Sequence, residues 1–356
     1  MQAGSSAESG ELQQKSDARS KWLRALGLIA TFVGIGLFWF LVYSVGLDEI
    51  VANISEFGFP AFLALLAIYF VRICARAAAW QLSVPTPYHL KFQDTIPAVL
   101  IGEAMSSIVP LGIMISGTAK AVSVRKKIPF VIGLSSVATE NIFYTFVTST
   151  FLLVGALTLS RIFVLDEAWT WTVNILIAGI AIVFGLVLLM VIRQWHFASW
   201  ICERLYERKF FGSVLENGRR NVRLFEELIY SFYRTYPGRF GPICLFESFY
   251  HVLGIVEVYF ILSRISESPT FLNSFLLESV SRTITIVFKF VPFMIGVDEA
   301  GSHFVAKTVA LGTGVGVTLA VIRKGRILFW ALIGLLIMTR RGFKFAHIFS
   351  GQEEQE

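Results

Sequence analysis

Apolar residues come in long blocks along this chain. Runs at about 25–45, 59–84, 95–119, 129–160, 171–192, 240–262, 271–312 and 316–338 reach or exceed the ~20 residues with which a helix crosses a bilayer. The pattern predicts an all-α polytopic membrane protein. Besides short polar loops, three longer polar segments stand out, residues 1–24, 193–239 and 342–356. The first and last of these read as cytoplasmic tails flanking a single transmembrane domain over 25–341, and the first is expected to be disordered.

Charge sets the direction of threading. Arg19, Lys21 and Arg24 precede the first block, and the loop at 46–58 carries Asp48, Glu49 and Glu56 with no Lys or Arg. By the positive-inside rule the amino terminus is cytoplasmic. The first block is long and lacks a cleavage site, so it reads as a retained span rather than a signal peptide. The 95–119 block runs into Lys120, Arg125, Lys126 and Lys127, which a full crossing would place outside. A re-entrant hairpin turning near Pro110 and Gly112 keeps both ends inside; a full span that breaks the charge rule is the alternative. The 271–312 block is a second hairpin, entered from outside and turning at Pro292–Gly296. The remaining blocks make about six full spans, with both termini cytoplasmic. Arg323, Lys324 and Arg326 then fall in the outer half of the last span. Either they face a polar cavity or the parity of the second half differs.

The segment 193–239 holds nine Lys or Arg against five Glu, with Leu205, Phe210, Phe211, Leu215, Leu224, Phe225 and Leu228 interleaved. It predicts amphipathic helices on the inner membrane surface, attracted to anionic inner-leaflet lipids; a solvated helical linker is the alternative.

Within the second hairpin, Pro292 breaks the helix, and Gly296 and Gly301 permit backbone that a Cβ would forbid. Asp298 stands as the N-cap of a new helix with Glu299 in its first turn; the bland alternative is a helix that simply ends. Val109-Pro110 and Val291-Pro292 lie in similar contexts, and on that register Gly133 falls opposite Gly316 and Glu140 opposite Arg323. Span, hairpin and span therefore recur, about 59–160 and about 240–338, as an inverted repeat whose site is expected near the midplane. The span before the first hairpin carries Arg72 and Arg76; the span before the second carries Glu247 and Glu257. These opposite signs are expected to pair between the halves.

A charged side chain facing lipid at a helix centre costs about 2.5–3.5 kcal/mol on the insertion scale, so these residues must turn inward and pair. Arg72 and Arg76 share a helix face and need an anion between them. Glu278 and Arg282 are spaced to satisfy each other, and Glu247 and His251 likewise. The candidate translocation residues are Arg72, Arg76, Pro110, Ser116, Glu140, Glu247, Arg282, Pro292, Asp298, Glu299 and Arg323. Ser116 is assigned to the first hairpin tip as an anion site, Asp298 and Glu299 to the second as a cation site. A purely structural network of buried pairs is the competing reading.

Composition agrees with a membrane protein: of 356 residues 55% are hydrophobic and 16% charged, with mean hydropathy +0.67 and net charge +6. Cys74, Cys202 and Cys244 are too dispersed for a disulfide framework or a zinc site. No His-Glu-x-x-His, phosphate-binding Lys-Ser loop or Cys-x-x-Cys is present, and Gly312-Thr-Gly314-Val-Gly316 reads as a flexible turn. No cofactor, metal or nucleic-acid partner is expected.

Phe290-Val291-Pro292 followed by Gly296-Val297-Asp298-Glu299-Ala300-Gly301 resembles the Pro-x-x-x-Gly-x-x-Glu-Ala signature of the flippase-like membrane domain family. That domain is the transmembrane part of lysylphosphatidylglycerol synthases. Ala75-Arg76 with Trp80, Val109-Pro110-Leu111-Gly112, and Ser136-Val137 with Glu140 resemble further stretches of it, and the likeness covers about residues 25–340. After the first turn the chain reads Ile115-Ser116-Gly117-Thr118-Ala119-Lys120, without the family's acidic residue and with Lys in place of Arg. Stand-alone members occur in bacteria and archaea, some associated with hopanoid or glycolipid pathways. The resemblance implies a lipid translocase of the inner membrane rather than an enzyme, acting on a phospholipid, glycolipid or hopanoid beside lipid-biosynthesis enzymes. Two alternatives are an intramembrane headgroup-modifying enzyme using Glu299, Asp298 and His251, and a non-catalytic scaffold of a lipid-synthesis complex.

Overall fold

The computed structural model describes residues 39–40, 43, 47–108, 112–163, 167–193, 199–200, 204, 212–288, 291, 294–312 and 314–341. Among them are eleven α-helices and no strand: α1 (Leu47–Phe57), α2 (Phe59–Leu82), α3 (Phe92–Ile108), α4 (Gly112–Ser123), α5 (Phe130–Ile162), α6 (Glu167–Arg193), α7 (Gly212–Thr235), α8 (Phe240–Ile265), α9 (Phe271–Val287), α10 (Val297–Thr308) and α11 (Val315–Arg340). The first predicted span lies almost wholly outside the described residues, as do the hairpin positions Pro110 and Pro292.

The ends of the helices follow local chemistry. Pro60 opens α2, which stops just before Pro85, and Arg239 donates to the Leu82 and Val84 carbonyls at 3.2 and 2.8 Å. Such cations suit a helix carboxyl terminus, where carbonyls lack partners. Pro129 precedes α5, and the Thr270 hydroxyl caps α9 by accepting from the Asn273 amide at 3.1 Å. Four helices are long and apolar enough to cross a membrane: α2, α5, α6 and α8. The 26-residue α11 is long enough too, but it carries Arg323, Lys324 and Arg326 in its first half.

Where each hairpin is expected, two short helices pack on each other. Both pairs have limbs of 17 and 12 residues, α3 with α4 and α9 with α10. At ~1.5 Å per residue, limbs of this length fall short of a ~30 Å hydrocarbon core.

The packing pattern maps onto itself when α2, α3, α4 and α5 are exchanged with α8, α9, α10 and α11. Helices α2 and α8 pack on each other, α3 leans on α11 as α9 leans on α5, and α4 packs on α5 as α10 packs on α11. The register read from sequence fits this exchange. A Cβ on Gly133 would lie 3.6 Å from Ala121 of α4, and one on Gly316 would meet Ser302 and His303 of α10.

Two expectations change. Residues 47–57 form a helix, not a loop: Ile50 and Phe57 are buried on one side and the acidic Asp48 and Glu56 are exposed on the other. The described part of 193–239 is dominated by α7, whose second half docks on protein. Ile229, Tyr230 and Phe232 are buried, Phe232 against Phe143 and Ile243, whereas Leu224 is exposed. Leu205, Phe210 and Phe211 lie outside the described residues.

Buried apolar residues gather in two large clusters. One joins the start of α2 to α8–α11 through Leu65, Val258, Ile261, Leu276 and Leu319. The other joins the end of α2 to α3 and the end of α11 through Ile73, Trp80, Val99 and Ile333. Arg72 and Arg76 lie on the part of α2 that carries the second cluster, between its Tyr69 and Ala77. A Cβ at Gly316 would collide with the Ser302 carbonyl, which sets the close approach of α10 to α11. Gly316→Val should therefore cost about 1–3 kcal/mol or more by overpacking, read as a lower unfolding midpoint and reduced monodisperse yield in detergent.

Candidate functional site

Polar residues recur at helical spacing on one face of three helices. On α2 they are Tyr69, Arg72 and Arg76; on α5, Asn141, Tyr144, Thr145 and Thr148; on α9, Glu278, Ser281, Arg282 and Thr285. Residues three and four apart share a face, so each helix carries a polar stripe, and the fold turns all three inward.

At the centre lie Glu257 of α8 and Glu278 of α9, neither with any exposed surface. Arg72 bridges them, with Nη1 2.6 Å from Glu257 Oε2 and Nη2 3.2 Å from Glu278 Oε1. Arg323 of α11 also reaches both, 2.6 Å to Glu278 Oε2 and 3.7 Å to Glu257 Oε1. Arg282 completes the shell of Glu278 at 2.9 Å, and Arg326 that of Glu257. Gly254 makes the space: a Cβ there would sit 2.5 Å from Glu278 Oε1 and 2.9 Å from Arg72 Nη2. The tyrosines add ring faces to this cationic centre. Tyr250 lies 4.4 Å from Arg72 and 5.4 Å from Arg282, and Tyr69 lies 4.0 Å from Arg326.

A second charge group adjoins it. Arg76 Nε donates to Glu140 Oε1 at 3.0 Å, Lys120 Nζ stands 3.8 Å from Glu140 Oε2, and the Arg76 guanidinium covers the Tyr144 ring at 4.3 Å. Under the helix exchange described above, α2 and α5 correspond to α8 and α11; Arg76 of α2 pairs with Glu140 of α5, and Glu257 of α8 with Arg323 of α11, so the signs are reversed.

Beside these groups lies a cavity of about 740 Å³. Arg76, Arg282, Arg323 and Arg326 reach its wall with Glu103, Asp298 and a row of hydroxyls from α5 and α9. Ile175, Ile180 and Val183 of α6, the most apolar and least buried of the four helices able to cross a membrane, also line it, as do Ile286 and Val287 of α9 and Ile327 and Trp330 of α11. Of the cavity's two carboxylates, Glu103 accepts from the Tyr69 hydroxyl at 2.9 Å, and Asp298 from the Ser281 hydroxyl at 2.5 Å. Neither has an ion pair among the described residues. Four guanidinium groups thus share two carboxylates at the centre. Arg282 Nε, Arg323 Nη1 and Arg326 Nε are buried without an acceptor among the described residues.

The sequence-derived site is partly redrawn. Arg76, Arg282, Asp298 and Arg323 line the cavity; Arg72, Glu140 and Glu247 stand behind its wall. Pro110 and Pro292 lie outside the described residues. Ser116 is not at a helix tip, because α4 begins at Gly112 and places it in the second turn. Asp298 is not the N-cap. Gly296 holds that position with φ 82°, and Glu299, at the third helical residue, reaches back to its amide at 2.8 Å. Glu299 also pairs with Lys324 at 2.8 Å and stays off the cavity wall. No single anion lies between Arg72 and Arg76; each has its own carboxylates. Glu278 and Arg282 do satisfy each other, but Glu247 and His251 do not. The His251 ring bonds Thr148 at 2.9 Å and stacks on Phe151. Arg323 and Arg326, awkward in the sequence, are cavity residues paired inward. Tyr69, Glu103, Tyr144, Tyr250 and Arg326 were absent from the expected site, although the stripes on α2 and α5 announce the first and third.

Removing one partner of a buried pair strands the other, at about 3–5 kcal/mol. Glu257→Gln should show this full loss in an unfolding titration, because Arg72, Arg323 and Arg326 all depend on that carboxylate. Arg282→Gln should cost clearly less, since Glu278 keeps Arg72 and Arg323.

None of the curated proteins and none of the solved structures matches the chain. The family model of the lysylphosphatidylglycerol synthase TM region matches residues 26–335. With its crossing helices, this match makes the molecule a multi-pass membrane protein linked to lipid metabolism or transport, and the chain belongs to the family of the lysylphosphatidylglycerol synthase transmembrane region.

Proposed function

We propose that the protein is a lipid translocase, not an enzyme, and that it moves a polar-headed amphiphile between the leaflets of the inner membrane. The observation that carries this reading is the mixed lining of the cavity, in which cationic and polar groups of α2, α5, α9 and α11 meet apolar side chains, among them those of the outward-facing α6. A headgroup fits the polar groups and acyl or polycyclic tails the apolar ones. Among phospholipid, glycolipid and hopanoid heads, one bearing phosphate suits the site best. The planar fork of arginine binds two oxygens at once, and three guanidinium groups on the wall have donors to spare. Glu103 and Asp298 offer places for an amine or hydroxyls on the same head.

The proposal includes the arrangement in the bilayer. Six spans, counting 25–45 and α11, enclose two re-entrant hairpins, α3 with α4 and α9 with α10, in an inverted repeat with both termini cytoplasmic. The packing exchange and the matched limb lengths support it. The exposed face of α7 lies toward anionic inner-leaflet lipids, and lipid-biosynthesis enzymes are the expected neighbours.

This arrangement keeps the exposed Lys126 cytoplasmic. In a background lacking Cys74, Cys202 and Cys244, a cysteine at position 126 should react with a membrane-impermeant maleimide only after the cells are opened. Labelling in intact cells would remove the first hairpin.

Transport itself is testable with purified protein in phosphatidylcholine vesicles containing a trace of fluorescent phosphatidylglycerol or phosphatidylethanolamine. Wild type should expose inner-leaflet probe to an external quencher. Arg282→Gln should slow phosphatidylglycerol about ten- to hundredfold, the worth of one charge-assisted hydrogen bond. Equal rates with and without protein would count against translocation.

A further inference from the structure

The cavity sorts its hydrogen-bonding atoms by kind. Its buried unpaired donors gather on α11, joined by Arg282 of α9. Arg323, Arg326 and Trp330 are three and four residues apart and so share a face, and Arg282 meets Arg323 at Glu278. Each of the four lines the cavity and holds a buried N–H with no acceptor among the described residues. Guanidinium and indole N–H groups can only donate.

The hydroxyls are of the opposite kind. Thr145, Thr283 and Thr285 donate to the carbonyls of Asn141, Ser279 and Ser281 at 2.7, 3.0 and 2.8 Å. Ser107 donates to the Glu103 carbonyl at 2.9 Å, and Ser281 to the Asp298 carboxylate at 2.5 Å. All five line the cavity. A hydroxyl has one proton and two lone pairs, so each of these, its proton spent inside the protein, meets a ligand as an acceptor. Of the other lining serines and threonines, Thr148 is bonded to His251, and only Ser106 and Ser149 keep a free proton among the described residues. Glu103 and Asp298 add carboxylate oxygens, one of each taken by Tyr69 and Ser281 and the other left open. The acceptors thus come from α3, α5, α9 and α10 and are spread around the cavity. An ammonium group donates from a single atom, and a quaternary ammonium not at all. Nor is an aromatic cage open to the latter, since Arg326, Arg76 and Arg72 cover the rings of Tyr69, Tyr144 and Tyr250 at 4.0, 4.3 and 4.4 Å. The hydroxyls of a ring polyol leave in several directions, and each can donate.

We propose that the head this cavity takes is a phosphorylated ring polyol, a cyclitol or a sugar. Its phosphate lies on the donors of α11 and Arg282, and its ring hydroxyls on the acceptors of α3, α5, α9 and α10. That the head belongs to a lipid rests on the translocase reading; the sorting of donors from acceptors belongs to the cavity alone.

The test compares fluorescent phosphatidylinositol and phosphatidylethanolamine with the same acyl chains, in phosphatidylcholine vesicles holding the purified protein. The inositol lipid should cross about tenfold faster or more, the worth of one or two net hydrogen bonds. Equal rates, or a faster ethanolamine lipid, overturn the proposal. Thr145→Val combined with Thr285→Val keeps side-chain size and removes two acceptors. It should cut the preference to about threefold or less, and a preference that survives in full overturns the assignment to these hydroxyls. If the double variant does not fold, the wild-type comparison decides. Binding is read separately, on protein in detergent with the soluble heads glycerophosphoinositol and glycerophosphoethanolamine at equal concentration. The first should raise the thermal unfolding midpoint more than the second. That preference in binding, with neither probe crossing, leaves the site standing and removes the translocase reading. Crossing without any preference keeps the translocase and removes the polyol.

Discussion

Charge buried away from water has to be answered by charge, and in this molecule the answers come from different helices. Glu257 and Glu278 have no exposed surface and together hold four guanidinium groups, from α2, α9 and α11. Inside a bilayer a misplaced carboxylate has no water to fall back on. Only a few rotations of those helices bring every guanidinium group to a carboxylate, so the network sets helix orientation more sharply than apolar packing could. Leucine against lipid and leucine against protein differ little in energy.

The two halves meet around that network in a reciprocal way. Each short helix pair leans on the long helix of the opposite half, α3 on α11 and α9 on α5. The short limbs carry polar residues that could not face lipid, Glu103 on α3 and Asp298 on α10, and both turn toward the cavity. The cavity is thus bounded by residues from both halves, with α6 adding apolar lining.

Much of this was legible in the chain. Proline and charge marked the helix ends to within a few residues, because proline removes a donor and clashes with the preceding turn. Pairing within a helix was half legible. Glu278 and Arg282 meet because helical spacing alone brings them together. Glu247 and His251 have the same spacing, yet Thr148 and Phe151 of another helix captured the imidazole. Partners of that kind depend on tertiary packing, which no local pattern encodes. The helix at 47–57 was missed because its acidic residues suggested a loop while Ile50 and Phe57 were already spaced for one face. Asp298 was misplaced by two positions because Gly296, free of a Cβ, took the cap and left Glu299 to close it.

Arg72 has a consequence of its own: among the described residues it is the one side chain whose ion pairs join α2–α5 to α8–α11. Arg76 and Lys120 answer Glu140 within the first group of helices, and Arg282, Arg323 and Arg326 answer Glu257 and Glu278 within the second. Each group is thus largely paired off internally, and a single guanidinium acts as the dowel between them.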